Sequence, residues 1–167
     1  MAIREIHEST DEVLRKIAKP VKEINQKIIT LLDDMEETMR EFNGVGLAAP
    51  QVGILKRIAI IDVGEGLIEL INPEIIEKRG SVIDYEGCLS IPGESALVDR
   101  PTYVKAEATD RNGDRYTIEG VDLLAVALCH EIEHLDGILY IDHAISEEDV
   151  ELIEIDDEEV YVYVDRE

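Results

Sequence analysis

The stretch Asp122-Leu123-Leu124-Ala125-Val126-Ala127-Leu128-Cys129-His130-Glu131-Ile132-Glu133-His134-Leu135-Asp136-Gly137 reads as one helix whose last turns carry chemistry. It starts near Asp122 and stops at Gly137, a residue type that readily takes the left-handed conformation closing many helices. Within it, His130-Glu131-Ile132-Glu133-His134 forms an H-E-x-x-H pattern. Residues four apart share one helical face, so both imidazoles can bind a single metal ion. Glu131 projects beside them, where it could take a proton from a water. Taken alone, the pattern also fits two surface histidines on an acidic helix.

A metal held by two histidines needs a further protein ligand, and catalytic sites commonly use three, leaving one position for water. The other donors available are Cys88, Cys129, His7, His143 and many carboxylates. Cys129 directly precedes His130, so on a helix it points about 100° away from the two-histidine face. It reads as a buried thiol. Cys88 lies in Asp84-Tyr85-Glu86-Gly87-Cys88-Leu89-Ser90, where a glycine allows a tight bend. His7 and His143 have no supporting pattern and read as surface residues. A disulfide between Cys88 and Cys129 is disfavoured, because nothing implies secretion.

Outward from the histidine helix, Asp11 to Ala18 predicts a short helix ending before Pro20. From Asn25 to Phe42, the residues Ile28, Leu32, Met35, Met39 and Phe42 recur at three- and four-residue steps. They form one stripe of an amphipathic helix with Asn25 as N-cap, and its methionines read as core. Arg57 to Val63 and Leu67 to Ile71 predict strands joined across Gly64-Glu65-Gly66. Tyr103 to Thr109 and Arg115 to Ile118 flank Asp110-Arg111-Asn112-Gly113-Asp114, a hairpin signal because Asn-Gly tolerates positive φ. Ser146-Glu147-Glu148-Asp149 resembles the start of another short helix, and Val160 to Val164 a last strand. The fold class is therefore α+β: mixed or antiparallel sheets packed around a central helix carrying the histidines, with an N-terminal amphipathic helix.

The 167 residues fit one domain with a real hydrophobic core, since 45% are hydrophobic and 33% charged. No repeat, low-complexity tract or linker divides the chain, and no apolar run approaches a membrane span. Met1-Ala2-Ile3-Arg4-Glu5-Ile6 lacks the layout of a signal peptide, so a cytoplasmic location is expected. Asp and Glu number 39 against 16 Lys and Arg, a formal net charge of −23. Such a field repels nucleic acid and gives no reason to bind anionic lipid. A salty cytoplasm or a solubility-driven redesign would each account for it.

Three segments in order resemble the peptide deformylase family: Gly44-Val45-Gly46-Leu47-Ala48-Ala49-Pro50-Gln51, Glu86-Gly87-Cys88-Leu89-Ser90, and the histidine helix. The likeness runs from about Asp11 to about Asp142. It implies a single catalytic domain over 1–167 that hydrolyses the formyl group from the N-terminal formylmethionine of nascent peptides, releasing formate. It also implies that Cys88, His130 and His134 hold one divalent ion, with a water completing the tetrahedron. Fe²⁺ is the usual native metal, and Zn²⁺, Ni²⁺ or Co²⁺ can replace it, since thiolate and imidazole suit several of these ions. By family position, Glu131 accepts a proton from water and passes it to the leaving amine. The Gln51 amide and the Leu89 backbone N–H donate to the developing oxyanion. Val45, Leu123 and Val126 match positions around the methionine pocket. Gly44 and Gly46 are expected to allow positive φ and close approach of an extended peptide.

Several residues depart from the family pattern. Glu133 stands where the family usually has Asp, and a retained ion pair with Arg100 is expected because one methylene shifts the carboxylate by only ~1.5 Å. Cys129 replaces a common glutamine, and Asp84 falls where an apolar pocket residue is frequent. Some bacterial members dock on the ribosome through a basic C-terminal helix. Here the chain from Glu147 onward is acidic, so ribosome contact is expected to be transient at most. The sequence leaves two other readings open. An ordinary H-E-x-x-H metallopeptidase would give Gly44–Gln51 and Glu86–Ser90 no role. A redesigned or degenerate homologue would keep fold and metal with little activity.

Overall fold

The computed structural model describes residues 2–165; Met1, Arg166 and Glu167 lie outside them. Asn25 caps helix α1 (Gln26–Glu41), its side chain accepting from the Ile28 backbone N–H at 3.2 Å. The stripe predicted for this helix is buried at Ile28, Leu32, Met35 and Met39. Phe42, the last residue of that stripe, is instead the C-cap, 48% exposed. The segment from Asp11 forms only a short 3₁₀ turn, Glu12–Arg15, with Asp11 as its cap.

Strand β1 (Gly46–Ala48) is followed by β2 (Ile58–Ile61) and β3 (Ile68–Arg79), with β6 (Tyr103–Thr109) and β7 (Arg115–Val121) completing an antiparallel five-stranded sheet in the order β1-β2-β3-β6-β7. β2 is apolar at every position because both of its faces are covered. Ile58 and Ile60 pack with Leu32, Met35 and Met39 of α1, while Ala59 and Ile61 pack with Ala125 and Leu128 of α2 (Asp122–His134). The histidine helix is therefore clamped against one face of the sheet, and the amphipathic helix covers the other. Gly137 (φ 73°) follows α2, as the sequence predicts, and the Ile138 N–H closes the turn on the Glu133 carbonyl at 3.1 Å.

A separate hairpin, β4 (Val82–Cys88) and β5 (Ile91–Arg100), supplies the rest of the site. Sequence periodicity does not reveal it, because Asp84, Glu86, Gly87 and Pro92-Gly93-Glu94-Ser95 interrupt any apolar alternation. Between the pairs Glu86↔Ala96 and Cys88↔Ile91 the register shifts, so Gly87 faces the four residues from Pro92 to Ser95. Such irregularities re-aim side chains at strand ends. The end of the described chain forms a third sheet, β8 (Val150–Ile155) with β9 (Glu158–Tyr163), after a 3₁₀ turn at Glu147–Asp149. It packs on the β4–β5 hairpin through Val150 and Tyr161 against Ile83 and Leu97. No helix among the described residues is long and apolar enough to cross a membrane.

Candidate metal centre and peptide cleft

Two elements distant in sequence meet at the C-terminal half of α2. His130 and His134 lie one turn apart, with their Nε2 atoms 3.2 Å from each other. Cys88, the last residue of β4, brings its Sγ to 3.4 Å from His134 Nε2. The three donor atoms lie within 4.8 Å of one another, and both histidines are buried. For metal bonds of about 2.0–2.3 Å at tetrahedral angles, donors should sit about 3.3–3.7 Å apart. The measured separations fit a shared ion, and a thiolate with two imidazoles is a suitable donor set for one. Both cysteines are free thiols, and Cys129 is buried against the sheet, away from the histidine face.

Glu86 lies two residues before Cys88, on the same side of β4. Its Oε2 accepts from His130 Nδ1 at 2.8 Å, which leaves Nε2 as the free donor of that ring. The same carboxylate is gripped by Arg100 Nε and Nη2 at 3.0 and 2.7 Å. Burial pushes the Glu86 carboxyl up, but the bonds from His130 and Arg100 outweigh it and hold it at about 2. The expected pair between Arg100 and Glu133 is present, through Arg100 Nη1 and Glu133 Oε1. Burial opposes the charge on Arg100, while Glu86 and Glu133 together keep it above its ordinary pKa.

Glu131 is 5% exposed, and its Oε2 has no hydrogen-bond partner among the described residues. Burial pushes this carboxyl up to about 7, against the pull of His130. His134 is driven well below the imidazole range by burial, with His130 adding to the shift. His130 is pushed up to about 10: burial lowers it, but Cys88 and Glu86 more than compensate.

Gln51 sits in a 3₁₀ turn (Ala49–Val52) and is 1% exposed. Its Oε1 accepts from the Ala48 N–H at 2.9 Å, and its Nε2 donates to Ser90 Oγ at 3.0 Å while facing Cys88 Sγ at 3.5 Å. The amide orientation is fixed by these partners, with the nitrogen toward the donor cluster. The Gln51 carbonyl also accepts from the His7 backbone N–H at 2.7 Å, which ties the N-terminal segment to the site.

A cleft of about 790 Å³ opens over this cluster, lined by Gly44, Val45, Gly46, Gln51, Cys88, Leu89, His130 and Glu131, with Leu123 and Val126 on the helix side. Val45 and Leu123 are half exposed there, as is Phe42. Every residue predicted for the site thus borders one cavity, apart from His134, which closes the cluster from behind. Gly44 and Gly46 do not take positive φ, contrary to expectation. At Gly46 the constraint is space, since a Cβ would stand 2.7 Å from Glu131 Oε1, whereas at Gly44 it would meet only the end of the Leu89 side chain, 2.7 Å from Cδ1. Asp84 is exposed and does not line the cleft, its carboxylate accepting from the Tyr85 N–H at 2.8 Å.

A half-buried cysteine and two buried histidines thus converge beside an unpartnered carboxylate and a fixed amide in an apolar cleft. The family model described as polypeptide deformylase matches residues 3–150. The chain belongs to the peptide deformylase family. The peptide deformylase of Acetivibrio thermocellus is 63% identical over 145 residues, covering 87% of this chain and 85% of that one. That of Alkaliphilus metalliredigens is 60% identical over 147 residues, covering 88% and 100%. Among solved structures, the Thermotoga maritima peptide deformylase superposes with a TM-score of 0.85 at 37% identity, over 87% of this chain and all of that one. The Legionella pneumophila enzyme gives 0.84 at 44% identity, over 87% and 88%. The fold class and the family read from the sequence both stand. The chain is a metal-dependent hydrolase that removes the formyl group from the N-terminal formylmethionine of nascent peptides.

Sequence reasoning gave no role to Glu86, Ser90 or His143. The first could have been found as the same-face neighbour of Cys88 on a strand. Ser90 and His143 meet Gln51 and Glu133 across separate elements, and no local spacing signals those contacts.

Proposed function

We propose that Cys88, His130 and His134 hold one divalent ion, natively Fe²⁺, with Zn²⁺, Ni²⁺ or Co²⁺ as replacements. We further propose that Glu131, Gln51 and Leu89 carry out the hydrolysis around it, within one catalytic domain spanning 1–167. The observation that carries this reading is the convergence of the three donors beside the unpartnered Glu131 oxygen. When bound, such an ion supplies Lewis acidity and makes a water acidic enough to act as a nucleophile near neutral pH.

The protein's residues do the remainder. Glu131, raised by burial toward neutrality, takes the proton from the attacking water and returns it to the departing methionine nitrogen. The Gln51 Nε2 and the Leu89 backbone N–H, in the turn between β4 and β5, donate to the former formyl oxygen as charge builds there. Val45, Leu123 and Val126 form the apolar seat for the methionine side chain. Gly44 to Gly46 lead into β1, an edge strand, so an extended peptide can approach its backbone closely.

The setting is cytoplasmic, where formylated chains emerge from ribosomes. Contact with the ribosome is transient at most, and stable nucleic-acid binding is absent, because the chain from Glu147 onward is acidic and the whole carries −23. No observation favours the metallopeptidase or the inactive homologue. The test is formate release from formyl-Met-Ala by protein loaded with Fe²⁺ or Ni²⁺. Glu131→Ala is expected to lose at least ~10²-fold in kcat, within the range for a general acid–base group, while keeping its metal. Equal turnover by the variant would remove the role given to Glu131, and cleavage of an unformylated Met-Ala peptide at a similar rate would favour the metallopeptidase.

A further inference from the structure

We propose that His143 is a positioning residue for the ligand His130, acting through a continuous run of side chains that Glu133 completes. The inference rests on the ligand assignment proposed above. It starts from a second cavity, of about 480 Å³, on the face of α2 turned away from the cleft, bordered by Arg100, Cys129, Glu133 and His143.

From this cavity the contacts run inward without a gap. His143 Nε2 donates to Glu133 Oε2, and Arg100 Nη1 donates to Glu133 Oε1. Arg100 Nε and Nη2 donate to Glu86 at 3.0 and 2.7 Å, and His130 Nδ1 donates to Glu86 Oε2 at 2.8 Å. Side-chain exposure falls from 42% at His143 to 17% at Glu133 and 7% at Arg100. One carboxylate therefore joins a surface histidine to the guanidinium that orients the partner of a metal ligand.

Glu133 stands where the family usually has aspartate, and its longer side chain touches both His143 and Arg100. A glutamate has one more side-chain torsion than an aspartate, so a single partner restrains it less. His143 holds the second oxygen and fixes the plane in which the first meets Arg100. Arg100, a rigid planar fork anchored at both ends, then fixes Glu86 and through it the ring of His130. Partners of metal ligands typically matter 10–100-fold in metal affinity. An anchor further out should matter less, about 3–10-fold.

The experiment measures Co²⁺ affinity of the metal-free full chain by competition with a chelating dye. The proteins are the unsubstituted chain, His143→Ala, His143→Gln, Glu133→Asp, the Glu133→Asp/His143→Ala double variant, and His130→Ala. His143→Ala should bind Co²⁺ about 3–10-fold more weakly, and His143→Gln, which keeps a donor at similar reach, should recover most of the loss. Glu133→Asp, one methylene shorter, is expected to keep the Arg100 pair and lose the His143 contact, so His143→Ala should add nothing in that background. In the Co²⁺-loaded enzyme, kcat should fall with KM for formyl-Met-Ala unchanged, because His143 lies outside the cleft. Unchanged affinity in His143→Ala, or an equal loss from it with and without Glu133→Asp, would overturn the proposal. If His130→Ala also binds Co²⁺ normally, the ligand assignment itself fails; if only His130→Ala loses affinity, the positioning role alone is lost.

Discussion

A methyl group on Gly46 would meet Glu131 at Oε1, Cδ and Cγ, all within 2.9 Å. Glu131 is almost fully buried and cannot simply swing away, so Gly46→Ala must displace the carboxylate from its place beside the histidines. Overpacking of this kind typically costs about 1–3 kcal/mol. The expected outcome is a loss of that size in chemical denaturation, with formate release falling at least ~10-fold while metal content is unchanged, as a misplaced proton-transfer group implies. Residue types at this scale were partly legible. Helical spacing puts His130 and His134 on one face beside Glu131, but spacing alone does not separate a metal site from surface histidines. Helix geometry sets Cys129 aside, but Cys88 was assigned as the third ligand only through the family likeness, because nothing local says that β4 ends beside α2. The reason Gly46 must be glycine was also hidden: the sequence points to backbone freedom, whereas the fold demands empty space.

Among the elements, the two helices were read nearly to their ends because α1 is capped by Asn25, α2 is closed by Gly137, and each has a covered face. Asn25 accepts from the Ile28 N–H, so Asn25→Ala should destabilise the protein by about 1 kcal/mol in urea unfolding, with deformylation unchanged. Little or no change would mean that α1 is held by its buried face alone. The strands were less legible. β2 is apolar on both faces and was found. β3 was read only to Ile71, since Asn72 to Arg79 carry polar residues and a register shift separates them from the first half. β4 and β5 were missed altogether, yet they deliver Cys88, Glu86 and Arg100. Their pairing is non-local in its consequences: turn-like residues such as Gly87 and Pro92 sit inside a hairpin whose purpose is to aim side chains at α2.

For the whole molecule, the −23 charge acts on stability and partners more than on chemistry. Self-repulsion in the folded state is screened by salt, with a Debye length falling from about 10 Å at 0.1 M to about 3 Å at 1 M. The melting temperature should therefore rise with added NaCl across that range. A flat or falling response would mean that local pairs such as Arg15–Asp142 and Arg111–Glu69 outweigh the net field. The acidic β8–β9 hairpin, docked on Ile83 and Leu97 through Tyr161 and Val150, adds to that field beside β4. The proposed metal site nevertheless lies in the small space where the end of β4 meets α2. Anomalous diffraction at the metal edge from crystals of Ni²⁺-loaded protein tests it most directly. A single peak about 2.0–2.4 Å from Cys88 Sγ and the Nε2 atoms of His130 and His134 is the predicted result; a peak elsewhere, or one ligated by carboxylates without the thiol, would contradict it.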